Sequence, residues 1–177
     1  MFKIVSLNVR GLSNFKKRRV IFNWCRKMKS DIILLQETHS KLEIEKQWEH
    51  EWGEKILCSR GPSNARGVAI LFRNGFYINL DSFKADAQGR FLVVKGNVDD
   101  NMFTIVNIYA PNRDRSSRLF FESLQRHLVE FGITNKDNIV IGGDFNCPLN
   151  PQLDKMGGIL IPRANVVGAI EDMQKKF

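Results

Sequence analysis

Ile139-Val140-Ile141-Gly142-Gly143-Asp144-Phe145-Asn146 decides how the rest of this chain is read. Three β-branched apolar residues in succession predict a strand buried on both faces, and the two glycines after them leave room for close approach to the backbone. Side chains alternate along a strand. Asp144 and Asn146 are therefore expected on one side and Phe145 on the core side, so that a carboxylate and a carboxamide share one small surface. A Gly-Asp turn that the asparagine helps to close is the competing reading of the same residues.

Working outward, other apolar strands end in the same way. Phe2 to Val9 is β-rich and brings Asn8 to its carboxyl end, just before the turn signal Arg10-Gly11. Asp31-Ile32-Ile33-Leu34-Leu35-Gln36-Glu37 runs from apolar residues into a carboxylate. Between Lys55 and Tyr109 strands are expected near 55–60, 67–73, 76–84, 90–98 and 102–110. Turns at Gly61-Pro62-Ser63-Asn64, Asn74-Gly75, Gln88-Gly89 and Asp99-Asp100-Asn101 join them, a pattern that predicts an antiparallel meander. Its last strand delivers Tyr109 shortly before Pro111 turns the chain away. Taken singly, Asn8 is ordinary turn chemistry and Tyr109 an ordinary core tyrosine.

Four helices complete the pattern. Val20, Ile21, Trp24 and Met28 give the 15–29 segment an apolar face, and Lys16, Lys17, Arg18 and Arg19 make its first turns basic, an arrangement read as a solvated face. Ser40-Lys41-Leu42-Glu43 reads as a capping box that opens a helix through Trp52, with His39 and His50 solvated. Leu119, Phe120, Leu124, Leu128 and Phe131 place a helix over 114–131 that Gly132 stops, and Val166, Val167, Ile170 and Met173 place another from about Arg163. An irregular stretch with Pro148, Pro151 and Gly157-Gly158 lies between. The last helix reaches Lys175-Lys176-Phe177 with no capping signal, so the chain reads as cut inside an element.

A length of 177 residues, with 43% hydrophobic residues and 13 Phe, is enough for one domain with a sizeable core. Lys and Arg number 27 against 19 Asp and Glu; the resulting +8 favours an acidic partner such as nucleic acid. Cys25, Cys58 and Cys147 are an odd count at no zinc spacing and read as reduced thiols. The amino-terminal strand is too short and polar for a signal peptide, and no apolar run approaches the roughly 18 residues of a membrane span. An intracellular chain, nuclear or cytoplasmic, with no membrane partner is expected.

Strands of one sheet present their carboxyl ends along one edge, where loops form a crevice. Asn8, Glu37, Tyr109, Asp144 and Asn146 would then form an oxygen-rich site of the kind that holds magnesium through one or two carboxylates and several waters. No Cys or His pair competes for a softer metal.

Ser6-Leu7-Asn8-Val9-Arg10-Gly11-Leu12, Leu35-Gln36-Glu37-Thr38, Asn107-Ile108-Tyr109-Ala110-Pro111-Asn112 and Gly142-Gly143-Asp144-Phe145-Asn146 resemble, in order, the motifs of the endonuclease/exonuclease/phosphatase superfamily. Gln36-Glu37-Thr38-His39 and the Asn-Ile-Tyr-Ala-Pro-Asn segment are similar to the endonuclease domain of non-long-terminal-repeat retrotransposons, a branch related to exonuclease III and the abasic-site endonucleases. The resemblance implies a DNase I-like α/β fold, a two-sheet sandwich with helices on the outer faces. It further implies a magnesium-dependent phosphodiesterase that cuts DNA, with manganese as a substitute ion. Glu37 would ligate the metal with Asn8 beside it, Asp144 would orient or activate the attacking water, and Asn146 and Tyr109 would hold the scissile phosphate.

The family's Ser-Asp-His signature has no counterpart, because the last histidine is His127, within a helix and ahead of Asp144. Residues 1–177 are therefore expected to be such a domain truncated before its final strands, incomplete at the carboxyl-terminal side and nearly inactive alone. Self-association through an unpaired sheet edge is also expected. Two alternatives stay open: a catalytically dead nucleic-acid-binding module, and a phosphoinositide or sphingomyelin phosphodiesterase of the same superfamily.

Overall fold

The computed structural model describes residues 2–62, 65–148 and 163–177. The expected turn at Ser63-Asn64 and the irregular stretch through Pro151 and Gly157-Gly158 lie outside the described residues. Two compact units are present: one holds the residues up to Tyr109 together with Asn138–Asp144, the other Ala110–Asp137 and Phe145–Phe177.

The first unit contains β1 (Ile4–Asn8), α1 (Phe15–Lys27), β2 (Ile32–Gln36), α2 (Leu42–Trp52), β3 (Ile56–Ser59), β4 (Val68–Phe72), β5 (Asn79–Ala85), β6 (Phe91–Val98), β7 (Asn101–Tyr109) and β8 (Ile139–Asp144). They form two mixed sheets, in the orders β1-β2-β4-β3 and β5-β6-β7-β8, each with a single parallel pair at one edge. The sequence predicts one meander over 55–110. Instead β3 and β4 belong to the first sheet and only β5-β6-β7 form a meander. The reason is burial on both faces of β4, whose five residues Val68–Phe72 leave no solvent side and demand a central position beside β2.

Ile32, Leu34, Ile70 and Phe72 from one sheet meet Leu92, Val94, Phe103 and Ile105 from the other to fill the space between them. On the outer face of the first sheet, Ile33, Leu35 and Leu71 pack with Phe22 and Cys25 of α1 and Trp48 and Trp52 of α2. The two-sheet α/β architecture expected from the sequence is thus what the chain adopts.

The helix faces differ from expectation. In α1 the buried stripe is Arg18, Phe22 and Cys25, whereas Val20 is 66% exposed and Trp24 40%. Arg18 is no part of a solvated basic face: its Nε lies 2.7 Å from Glu51 Oε2, its Nη1 donates to the Leu12 carbonyl at 2.8 Å, and its guanidinium lies over the Phe15 and Trp48 rings. Fully paired and stacked, a guanidinium can enter a core. The capping box also fails to form. Lys41 occupies the cap position of α2 without a side-chain bond, and Ser40 Oγ is buried with no hydrogen-bond partner among the described residues.

The second unit is built on α3 (Asp114–Glu130) and α4 (Ala164–Lys176). Ser117, Phe121, Leu124 and Leu128 are the buried stripe of α3, with Leu119 55% exposed, so the expected face is rotated by part of a turn. In α4 the buried residues Val166, Ile170 and Met173 match the expected stripe, and Gly132 ends α3 with φ +76.

Candidate functional site

Parallel pairing sets the geometry. Asn8 is level with Gln36 at the carboxyl ends of β1 and β2, and Tyr109 is level with Asp144 at the carboxyl ends of β7 and β8. The two sheet ends meet at Asn8, whose Nδ2 donates to Glu37 Oε1 at 2.9 Å and to Asp144 Oδ2 at 2.8 Å. Two carboxylates separated by 107 positions in sequence therefore share one amide. The Tyr109 hydroxyl donates to Glu37 as well, so four of the five residues singled out from the sequence form one hydrogen-bonded cluster.

The chain spends conformational energy to present Glu37. Glu37 and His39 have φ of +53 and +52, left-handed values that cost roughly 1–2 kcal/mol each for a residue with a side chain. Backbone bonds on both sides hold the loop: Gly11 N–H and Leu12 N–H donate to the Glu37 and Thr38 carbonyls, and Thr38 N–H and His39 N–H donate to the Gly67 and Arg66 carbonyls. Gly67, at φ +89, is required here because a Cβ would lie 2.6 Å from Thr38 Oγ1. On β8, a Cβ on Gly143 would lie 2.1 Å from the Ile108 carbonyl oxygen, so only glycine lets β8 run this close to β7.

Beneath the cluster lies a buried amide pair. Gln36 Nε2 donates to Asn107 Oδ1 at 2.8 Å, and Asn107 Nδ2 donates to the carbonyls of Leu35 and Ala69 at 2.9 and 2.8 Å. This pair ties β2 and β4 of one sheet to β7 of the other, directly below Glu37 and Tyr109 in sequence. The sequence carries it only as a polar residue inside each apolar run, Leu34-Leu35-Gln36-Glu37 and Val106-Asn107-Ile108-Tyr109, with nothing to say that the two are partners.

Electrostatics favour an ionised Glu37. Partial burial pushes its carboxyl up, but the hydrogen bonds from Asn8 and Tyr109 and the charges of His39 and Arg10 outweigh burial and hold it below the ordinary value. Burial and the hydrogen bond to Glu37 push the Tyr109 phenol up, so it stays a donor. Arg90 lies over the Tyr109 ring, 5.0 Å from its centroid, and its Nη1 donates to the Tyr109 carbonyl at 3.2 Å. Arg10 and the partly buried His39 beside Glu37, and Arg90 beside Tyr109, carry no sequence signal that singles them out. His39 is close enough to act on Glu37, which corrects its reading as a solvated side chain.

Two sequence readings about 139–146 change. β8 is an edge strand rather than one buried on both faces, and Val140 is 41% exposed. The strand also stops at Asp144, and Asn146 has φ +49, so alternation does not carry through to it. Asn146 belongs to the second unit. There its Nδ2 donates to the Ala110 carbonyl at 2.8 Å, and Arg163, which pairs with Asp114 at 2.5 Å, donates to its carbonyl.

A two-sheet α/β scaffold whose strand ends gather two carboxylates, an amide and a phenol defines the class of molecule. Residues 5–155 match the endonuclease/exonuclease/phosphatase family, and the chain belongs to that family. It is 29% identical over 147 residues to a transposon TX1 uncharacterized 149 kDa protein of Xenopus laevis; the match covers 83% of this chain but only 11% of that protein's length. The fold is similar to the APE2 catalytic domain of Xenopus laevis, with a TM-score of 0.68 and 18% identity over 96% of this chain and 67% of that one. It is also similar to an AP endonuclease of Archaeoglobus fulgidus, with a TM-score of 0.67 and 19% identity over 99% and 70% of the respective chains.

The donor set suits a hard divalent ion. Among the described residues no group of three or more His, Cys, Asp or Glu could form an all-protein cage. Glu37, with Asp144 close by, could offer the one or two carboxylates through which magnesium is usually held. Asn8 stands between the two carboxylates: its Oδ1 accepts the Arg10 N–H at 3.1 Å while its amide protons face Glu37 and Asp144.

Proposed function

We propose that this chain is a magnesium-dependent phosphodiesterase domain of the retrotransposon or abasic-site endonuclease type, acting on DNA, with manganese as a substitute ion. The observation that carries the reading is the Asn8 amide shared by Glu37 and Asp144. Bound between such carboxylates, a divalent ion supplies positive charge to the non-bridging oxygens of a phosphodiester. Glu37 would hold it. Asp144 would orient the attacking water, and Asn8 would keep the two carboxylates in register. Tyr109, held protonated beside Glu37, would donate to the phosphate as charge grows on it.

The match to a transposon protein and the +8 net charge support a DNA substrate over a lipid one. The three histidines of these 177 residues are His39, His50 and His127, and none follows an aspartate. Turnover by this stretch alone is accordingly expected to be several powers of ten below that of an enzyme with an Asp-His pair. The second reading is a nucleic-acid-binding module without chemistry, which the +8 net charge fits equally well.

Nicking of supercoiled plasmid over long incubations separates them. The first reading expects slow cleavage that needs magnesium and falls at least about 100-fold in both Glu37→Gln and Asp144→Asn, a loss within the range of removing one electrostatic group from a site. DNA binding with no magnesium-dependent nicking, identical in wild type and variants, would leave only the second.

A further inference from the structure

We infer that this chain associates head to tail with further copies of itself, the exposed face of α1 on one copy docking on an acidic, aromatic-lined depression of the next. Both surfaces lie in the first unit, and the inference is independent of the chemistry at Glu37 and Asp144.

The first surface is a helix face without a partner. α1 contains no acidic residue, and two of its cations are held by α2: Arg18 by Glu51, and Arg26 by the Glu51 and Trp52 carbonyls. Lys16, Arg19 and Lys27 are exposed and make no ion pair among the described residues. Between them stand the exposed Val20 and Trp24. Residues three and four apart share a helix face, so Lys16, Val20, Trp24 and Lys27 form one row. An aliphatic and an indole side chain facing water between cations call for a surface that is apolar at its centre and acidic beside it.

Such a surface lies away from the carboxylate cluster. Phe72, at the end of β4, is level with Ile32 at the start of β2, and the Asp99-Asp100 turn precedes β7, whose far end is Tyr109. The nine residues of β7, at about 3.3 Å each, put roughly 30 Å between that turn and Tyr109. Phe72, Phe76, Ile78 and Leu80 line an open depression of about 340 Å³, together with Glu54 and Lys55. Tyr77, 90% exposed, borders both this depression and a second of about 740 Å³ that Asp99 and Asp100 line. Phe76, packed on Phe2 with ring centroids 6.0 Å apart, and Ile78, packed on the core, anchor the backbone on either side and so present Tyr77 outward. Glu54, Asp99 and Asp100 face a single ammonium there, an acidic patch on a chain of net charge +8.

The two surfaces are complementary in shape and in sign. Trp24 is a convex anchor of the kind that fills a central pocket, and Lys16, Arg19 and Lys27 are the cations that the carboxylates lack. Nucleic acid is excluded as the occupant of the depression because both are anionic. As the patches are different parts of one chain, the contact is heterologous, and each added copy leaves one free patch of each kind unless a ring closes.

Sedimentation velocity of the 177-residue chain, freed of nucleic acid, over a range of concentrations tests this. The wild type is expected to gain mass beyond the dimer. Val20→Glu with Trp24→Glu removes the helix patch; Tyr77→Ser with Asp99→Asn and Asp100→Asn removes the receiving patch, asparagine being suited to the left-handed φ of +49 and +61 at the last two. Each variant alone is expected to associate at least about tenfold more weakly, as on loss of an anchoring residue, with the wild-type circular dichroism spectrum. Lys16→Glu with Lys27→Glu, both at exposed positions, is a second helix-side variant with the same expected loss. An equimolar mixture of the Val20/Trp24 and Tyr77/Asp99/Asp100 variants is expected to form a dimer and nothing larger, because one keeps the receiving patch and the other the helix patch. A wild type that stays at the mass of one chain would overturn the inference, as would a mixture no heavier than its components. Association that persists in all the variants would place it at a sheet edge and overturn it as well.

Discussion

Asn8 joins the site as one residue with three bonds. Its amide protons satisfy Glu37 and Asp144, and its oxygen is held by the Arg10 N–H. Tyr109 supplies the other donor to Glu37. A carboxyl held below its ordinary value contributes stability that is present above that value and is lost as pH falls through the depressed folded value. Tyr109→Phe removes one of the bonds that depress Glu37. Its carboxyl is expected to titrate at higher pH in the variant, so acid destabilisation begins earlier; a carbon-detected NMR titration of the glutamate carboxyls together with unfolding at several pH values reads both effects. An unmoved Glu37 would show that the phenol is not its partner.

Asn107 is the residue whose removal should cost most below the site. Buried groups left without partners cost about 1–3 kcal/mol each. Asn107→Ala strips partners from Gln36 and from the Leu35 and Ala69 carbonyls, and a loss of roughly 3 kcal/mol in urea unfolding is expected on that basis. A change under about 0.5 kcal/mol, ordinary for an exposed position, would contradict the buried network.

Among the elements, α1 separates what its sequence says from what its packing does. The expected apolar face is only partly the buried one: Ile21 packs against the same core as Phe22 and Cys25, Arg18 joins that stripe, and Val20 and Trp24 face solvent. Hydropathy counts the arginine as solvent-facing, yet Glu51 of α2 lies 33 positions away in sequence and takes both of its remaining donors, which periodicity in a single helix does not encode. Phe22→Ala is expected to cost about 3–5 kcal/mol, and Val20→Ala under about 0.5 kcal/mol; denaturant titration of the two variants distinguishes the buried stripe from the exposed positions. The strands were more legible. Runs such as Ile32–Leu35 and Val68–Phe72 are apolar throughout and can only be central, but which sheet they joined depended on register. For β8 the three β-branched residues gave the strand and not its edge position, and Gly143 matters for a reason visible only beside Ile108.

For the molecule as a whole, the gathering of four candidate residues in one cluster was legible because polar residues closing apolar strands are few. Its supports were not. The Gln36–Asn107 bond and the Gly67–Gly89 backbone bond join segments distant in sequence, and only three-dimensional register brings them together. Partition into two units also separates Asn146 from the strand that carries Asp144, a division that two intervening bonds of sequence do not announce.

The phosphodiesterase reading depends on Glu37 and Asp144 acting on one divalent ion. Titration of manganese into the protein, followed by the loss of the free-ion electron paramagnetic resonance signal, measures that directly. Saturable binding by the wild type, weakened at least tenfold in both Glu37→Gln and Asp144→Asn while both variants keep the wild-type circular dichroism spectrum, is the predicted result. Equal manganese affinity in all three proteins would contradict it.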